Sequence, residues 1–409
     1  MRNRDFALFW SSDVLGSTGQ FVRDVAVAWY VYEVTASPWV LGILGFCEAT
    51  PRLVLGLFAG ALSDRYDRVR IFTLIQFLSA IPVCVMVVLY FLGVLEVWHL
   101  IILEVVVSAV KSASPSATQS VIRDLAPENQ IMNAVALSSA GFNGARVVGP
   151  SLGGLLIVWL GVGGCFLLDA LVLAIAGVEM LFIRHPKRKP DRGRQDFMGE
   201  IKAGLRYIGG APTIVAILGV SYTASILIGT YQRFLPVFAK DLYQVGPEGL
   251  GLMMAAPGIG ALITLLILAG RGEEGDTRKL LWATAILSPV VMIAFCMTRN
   301  LFLGLLFLGL IGVGQVGFRT VARVVIQYDV PLELLGRVTS VFAIERGLNS
   351  VGSVVLGALA AAFGAAAGLA IAAIISLFST LVFFYRFVRP RRMAVARAVR
   401  DVTKKDRGS

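Results

Sequence analysis

The chain has 409 residues, of which 57% are hydrophobic and 15% are charged, and its formal net charge is +11. A soluble globular protein carries roughly 25% charged residues, so water could not solvate this much apolar surface and a soluble domain is excluded. The basic excess lies in loops between apolar runs, which indicates membrane topology and no nucleic-acid partner. All four cysteines lie inside apolar runs, which predicts buried thiols and neither disulfides nor a metal site.

Twelve apolar runs are long enough to cross a bilayer, for which a helix needs about 20 residues. In chain order they are 6–33, 38–62, 70–92, 97–119, 131–160, 164–184, 211–238, 248–270, 279–298, 301–323, 338–362 and 367–388. The chain is therefore predicted to be an all-α membrane protein with twelve transmembrane helices.

The distribution of basic residues predicts the orientation. Short joins at 35–37, 161–164, 298–300 and 364–368 lie on one side of the membrane, and 28 of the 37 Lys and Arg residues are assigned to the other side. By the positive-inside rule the basic side is cytoplasmic, so both termini should be cytoplasmic in a multi-pass protein of the cell (inner) membrane. The basic loops are expected to contact lipid headgroups.

The longest polar interruption divides the chain into two halves. We expect an N-terminal six-helix bundle (1–184), a basic cytoplasmic linker (185–210), a C-terminal six-helix bundle (211–388) and a basic cytoplasmic tail (389–409). The halves repeat weakly, with Pro127 equivalent to Pro331 and Gly153 equivalent to Gly357. Parallel repeats of this kind occur in secondary transporters, whose substrate site lies between the halves.

The loop between the second and third helices carries an ordered set of residues, which includes Gly60, Asp64, Arg65 and Arg68. The carboxylate can accept from helix N-terminal amides and the arginines can bridge to carboxylates, so the cluster can hold one conformation and release another. A plain basic loop is the alternative. The order closely resembles the loop signature of the major facilitator superfamily, G-x-L-x-D-R-x-G-R-R, with departures at Asp67 and Val69.

The fifth helix contains a second ordered set, formed by Gly149, Pro150, Gly153 and Gly154. Proline kinks the helix and the glycines let another helix approach, although a purely structural kink is the alternative. The set resembles the G-x-x-x-G-P-x-x-G-G signature of antiporters in this superfamily, with the first glycine displaced by one residue to Gly144.

Three further stretches, Phe9-Trp10, 29–35 and 127–134, resemble the branch that holds the enterobactin exporter and macrolide efflux proteins. The resemblance spans the chain. It implies the major facilitator fold, with two six-helix bundles around a central cavity, and drug/proton antiport. It names no substrate.

Polar residues inside the apolar runs form stripes on several helices. A central charge costs about 2.5–3.5 kcal/mol in a bilayer, so these side chains should face the protein interior and a substrate and proton cavity. The candidates are Asp13, Gln20, Asp24, Glu48, Arg52, Glu104, Lys111, Arg146, Arg319 and Glu345. We rank Asp24 and Glu48 first as proton carriers, with Arg23 and Arg52 as nearby cations that modulate them. The alternative is permanent structural ion pairs.

Enzyme motifs are nearly absent from the sequence. A phosphate-binding glycine loop is missing, so uphill transport would need an ion gradient. We expect an exporter of a small amphipathic molecule (a drug, siderophore or similar) that works by proton antiport and alternating access, as a monomer and without a cofactor. Uptake or lysophospholipid transport by the same fold is one alternative. A non-transporting sensor or scaffold is another.

Overall fold

The structure, a computed structural model, describes residues 4–65, 67–183, 206–271 and 276–387, with side chains at all of these except 56–65, 128, 271, 333, 346 and 387. Every regular element in these ranges is helical. In chain order they are α1 (Arg4–Thr35), α2 (Pro38–Arg65), α3 (Arg68–Phe91), α4 (Val97–Lys111 and Ser114–Leu125), α5 (131–160), α6 (162–181), α7 (Pro212–Ile228, continued irregularly to Leu242), α8 (Pro247–Arg271), α9 (Thr277–Met297), α10 (Leu301–Asp329), α11 (Leu332–Ala343 and Glu345–Phe363) and α12 (Ala365–Phe387).

The described helices account for twelve membrane crossings. Ten segments are long and apolar enough to cross, and one of them, Ile131–Leu181, has 51 residues. That segment reverses at Gly161, whose φ of 69° suits glycine, and the thiol of Cys165 returns to 3.7 Å from the carbonyl of Gly153. Charged residues lower the hydropathy of α1, but its 32 residues exceed the length that a crossing requires. The predicted twelve-helix membrane fold is confirmed.

Three crossings are less regular than the sequence predicted. α4 reaches Leu125 and is interrupted at 112–113, just before Pro115, which cannot donate the hydrogen bond that would continue the first helix. α7 passes through a 3-10 turn (Tyr231–Phe234) and a π turn (Phe238–Leu242). α11 begins at Leu332 and contains a turn at Ile344.

Helix ends define two faces of the molecule. At the terminal face α1 begins and α12 ends, and at the hairpin face lie the short joins such as 36–37 and 298–300. The two halves contact each other through α2 with α11 and through α5 with α8. Both contacts are glycine to glycine: a Cβ on Gly42 would lie 2.9 Å from the Cα of Gly357, and one on Gly154 would lie 3.0 Å from the Cα of Gly251.

The hydrophobic cores show where the halves separate. Toward the hairpin face one continuous core includes Tyr32 and Leu41 from the first half together with Phe234 and Leu356 from the second. Toward the terminal face each half has a core of its own. The halves are therefore packed together at the hairpin face and stand apart at the terminal face.

Candidate substrate and proton cavity

A cavity of about 800 Å³ lies between the two halves. Its wall is formed by α1, α2 and α4 from the first half and by α7, α8, α10 and α11 from the second. The lining extends from Leu44, which is buried beside the hairpin-face core, to Gln119 and Ser340, which are exposed. The cavity thus opens toward the terminal face, and its volume suits a drug-sized molecule.

Six of the ten polar residues predicted for the cavity lie in its wall, and these are Asp24, Glu48, Arg52, Glu104, Lys111 and Arg319. Gln20 adjoins them, because its side-chain oxygen accepts a hydrogen bond of 3.1 Å from Lys111. Glu345 is the partner of Arg319. Asp13 accepts a hydrogen bond of 3.2 Å from Ser138, and neither Asp13 nor Arg146 lines the cavity.

Glu48 joins the two halves. Its Oε1 lies 2.7 Å from Arg52 one turn along α2, and its Oε2 lies 2.6 Å from Arg233, which α7 supplies from the other half. The backbone carbonyl of Glu48 also accepts a hydrogen bond from Ser108. Arg52 is the neighbour that the sequence predicted for Glu48, whereas Arg233 is not among the residues that the sequence predicted for the cavity.

Arg23 pairs with residues other than its sequence neighbour. Its Nε lies 2.9 Å from Oε1 of Glu104, and its Nη1 forms a second buried ion pair with Asp169 of α6. Successive side chains on a helix point about 100° apart, so Arg23 faces the bundle interior while Asp24 faces the cavity. Asp169 is not among the residues predicted for the site, although an aspartate inside the sixth apolar run is a signal that indicates an inward-facing charge.

Asp24 differs from the other carboxylates of the wall. Among the residues that the structure describes, no ion pair or hydrogen bond involves its side chain, which lines the cavity. A carboxylate that faces water without a cation in contact can gain or lose a proton without breaking an ion pair.

The second half contributes a polar group around Glu345. Its Oε1 lies 2.9 Å from both Nε and Nη2 of Arg319, and its backbone carbonyl accepts a hydrogen bond of 2.7 Å from Ser225. The Ser225 hydroxyl also lies 2.7 Å from Oδ1 of Asn349, which lines the cavity. Glu345 is buried behind Arg319, which is the cavity-facing member of the pair.

The small residues of α5 form contacts with two different helices, α1 and α8. A Cβ on Gly149 would lie 2.6 Å from Cβ of Phe21, and one on Gly153 would lie 3.1 Å from Cα of Val22, so both glycines face α1. Pro150 and Gly154 face α8 across the interface between the halves, where both approach Gly251. A Cβ on Gly144, the displaced glycine, would meet nothing within 4 Å.

The structure describes only part of the loop signature between α2 and α3. The backbone of Gly60, Asp64 and Arg65 is helical, but their side chains lie outside the described residues. Arg68 lies 3.0 Å from Asp124 at the end of α4, and Asp67 caps α3 by accepting from the backbone of Val69 and Arg70.

The second half repeats this arrangement. Asp276 caps α9 by accepting from the amide of Lys279, and Arg278 lies 3.4 Å from Asp329 at the end of α10. The internal repeat therefore extends to a cap and an ion pair in each half.

Comparison with known proteins assigns the family. The family model described as transmembrane secretion effector, a major facilitator group, matches residues 1–405. The chain belongs to this family. It is 24% identical to the staphyloferrin A transporter of Staphylococcus aureus over 384 residues, which cover 92% of this chain and 95% of that one. It is 24% identical to the enterobactin exporter of Shigella boydii, with 82% and 80% covered.

The fold comparison agrees with the family. The nucleoside transporter NupG superposes with a TM-score of 0.75 at 14% identity, over 94% of this chain and 99% of that one. The resemblance that the sequence motifs indicated is confirmed, and the protein is a multi-pass membrane transporter of small molecules and not an enzyme.

Proposed function

We propose that this protein exports a small amphipathic molecule, such as a drug or a siderophore, by proton antiport with alternating access. The observation that carries the proposal is the cavity between the halves, open at the terminal face and closed at the hairpin face. A cavity of this form is what one state of an alternating-access transporter requires. The names of the relatives, among them an enterobactin exporter and a multidrug efflux pump, support export.

Proton coupling is proposed to use the cavity carboxylates. Asp24 is the first candidate because it lines the cavity without a cation in contact, and Glu48 is the second. Glu48 would release Arg233, but not Arg52 on its own helix, when the halves part at the hairpin face, since Arg233 belongs to the other half. The loop residues Gly60, Asp64, Arg65 and Arg68 and the α5 glycines would control the conformational exchange.

The terminal face is proposed to be cytoplasmic, which makes this conformation inward-facing. The divisions 1–184, 185–210, 211–388 and 389–409 then correspond to a bundle, a cytoplasmic linker, a second bundle and a cytoplasmic tail in the cell (inner) membrane. The basic loops would contact anionic lipid headgroups. Each half supplies one side of the cavity, so a monomer would suffice for transport.

A susceptibility panel in cells that lack or overproduce the protein tests the proposal. Export predicts that overproduction raises resistance to at least one toxic amphipathic compound and lowers its accumulation in the cell. Uptake would give increased sensitivity to the compound, and a non-transporting sensor or scaffold would change neither resistance nor accumulation. Overproduction of the Asp24→Asn variant is the control for effects of membrane crowding.

A further inference from the structure

The arginines of the cavity wall are more exposed than the carboxylates that they pair with. The side chains of Arg52 and Arg319 are 41% and 44% exposed, whereas Glu48 and Glu345, their partners, are 7% and 8% exposed. Arg233 is 28% exposed and shares Glu48. In every one of these pairs the guanidinium is more exposed than the carboxylate, so the lumen contacts more of the donor group than of the acceptor.

These donors come from both halves of the molecule. Arg52 lies on α2 of the first half, and Arg233 and Arg319 lie on α7 and α10 of the second. A guanidinium has five N–H donors in a planar fork, and each of these pairs uses only one or two of them. The remaining donors can bind a planar acidic group in the bidentate manner that suits carboxylate.

One free acceptor of opposite charge is present in the same wall. Asp24 lines the cavity, and within the described residues its carboxylate has no ion-pair partner. Lys111 also lines the cavity and donates to the neutral Gln20. The wall is therefore complementary to a ligand that carries an acidic group and, elsewhere, a cationic or strongly donating group.

We propose that the cavity binds an amphoteric organic molecule, whose carboxylate is held by the cavity-lining guanidiniums of Arg319 and Arg233 and whose cationic group faces Asp24. This assignment rests on the proposed transport function and specifies its substrate class. A proton and the cationic group of the ligand would compete for Asp24, which is compatible with exchange of one for the other. A purely cationic drug would leave the remaining guanidinium donors without an acceptor and would be repelled by the arginines.

Two dyes that differ in one carboxylate test the assignment. Rhodamine 110 has a free carboxylate and a delocalised cation, and rhodamine 123 is its methyl ester. Binding of each dye to the full-length protein in detergent is measured by fluorescence polarisation. We expect rhodamine 110 to bind at least about tenfold more tightly, since a hydrogen bond to a charged group contributes about 1.5–3 kcal/mol. Equal binding, tighter binding of rhodamine 123 or no binding of rhodamine 110 would overturn the assignment.

Variants identify the groups responsible. The double variant Arg319→Gln/Glu345→Gln removes one guanidinium without leaving a buried carboxylate unpaired, and it should remove most of the preference for rhodamine 110 while rhodamine 123 binding is kept. Retained binding of rhodamine 123 also shows that the variant is folded. Asp24→Asn should weaken both dyes alike. Arg278→Gln, which changes an arginine outside the cavity, should alter neither, and an equal loss of preference there would contradict the assignment.

Competition separates a soluble acid from a lipid headgroup. Phthalate carries carboxylates without an acyl chain, and lysophosphatidylglycerol carries an acidic group on a lipid. Displacement of rhodamine 110 by phthalate supports the assignment, and displacement by the lysolipid alone overturns it. If the transport proposal is wrong and the substrate assignment is right, rhodamine 110 will bind to the protein but vesicles will accumulate neither dye.

Discussion

The Asp24 carboxylate is the residue on which proton coupling is expected to depend. In vesicles with an imposed pH gradient, Asp24→Asn should lose uphill accumulation of substrate and retain downhill exchange, because the variant still binds substrate, although more weakly, and cannot release a proton. Asp13→Asn is the matched control, since Asp13 is held by Ser138 outside the cavity wall, and it should keep uphill accumulation. Full gradient-driven accumulation by Asp24→Asn would place the coupling elsewhere, with Glu48 next.

Arg23 is expected to be structural. It is fully buried between two carboxylates, so Arg23→Gln would leave Glu104 and Asp169 without a cation and should destabilise the protein by about 3–5 kcal/mol. Thermal unfolding in detergent measures the loss. Adding Asp169→Asn to Arg23→Gln should recover part of it, because one buried charge is removed.

The control for the Arg23→Gln variant is a substitution in an exposed arginine–aspartate pair. Arg278→Gln breaks the contact with Asp329 at the terminal face and should cost about 0–1 kcal/mol. An equally small effect of Arg23→Gln, or no recovery in the double variant, would contradict the buried triad.

Single residues were predicted from the sequence to different extents. Glu48 and Arg52 lie one helical turn apart, so their pairing follows from helix geometry alone. The pairing of Arg23 with Asp169 joins residues 146 positions apart, and helix periodicity cannot choose among partners on other helices. Arg233 was missed for the same reason, because its partner lies in the other half of the molecule.

At the scale of the helix, α5 offers a graded test of small residues. Gly153→Leu should prevent folding of the first half, because any side chain there would meet the backbone of α1. Gly154→Leu should permit folding of each half but abolish transport, because it separates α5 from α8 at the hairpin face. Yield of folded protein and transport by the purified variants are measured together.

Gly144 provides the matched control on the same helix. A Cβ there would meet nothing within 4 Å, so Gly144→Leu should fold and transport almost normally. Near-normal transport by Gly154→Leu would show that the contact with α8 is dispensable.

The apolar runs predicted that these helices exist, but they did not predict where the helices are irregular. The break in α4 precedes Pro115 and was available from the sequence as a proline effect. The 3-10 and π turns of α7 depend on packing between the halves, where Tyr231, Phe234 and Phe238 enter the shared core. Local propensity contains no information about that packing.

For the whole molecule, the twelve crossings put the start of α1 and the end of α12 on one face. Since that face is proposed to be cytoplasmic, a phosphatase that is active only outside the cytoplasm, fused after Ser409 in a Gram-negative host, should be inactive. The same reporter fused after Arg299, in a join of the hairpin face, should be active. Activity in the first fusion and none in the second would reverse the proposed orientation.

The pattern of apolar runs predicted the number of helices and the repeat of the two halves, but not the open face of the cavity. Inward-open and outward-open states of a transporter bury the same helix faces within each half, so a hydropathy pattern fits both. The contacts of Gly42 with Gly357 and of Gly154 with Gly251 define the state described here. They connect residues on different halves that no local signal relates.

The most direct test of proton-coupled export is accumulation in inside-out membrane vesicles, with rhodamine 110 as the probe. A lumen made acidic relative to the medium should drive the dye into vesicles that contain the protein, and nigericin should release it. The Asp24→Asn vesicles should equilibrate the dye without concentrating it. Dye that is concentrated only when the gradient is reversed, or to the same level without a gradient, would contradict export by proton antiport.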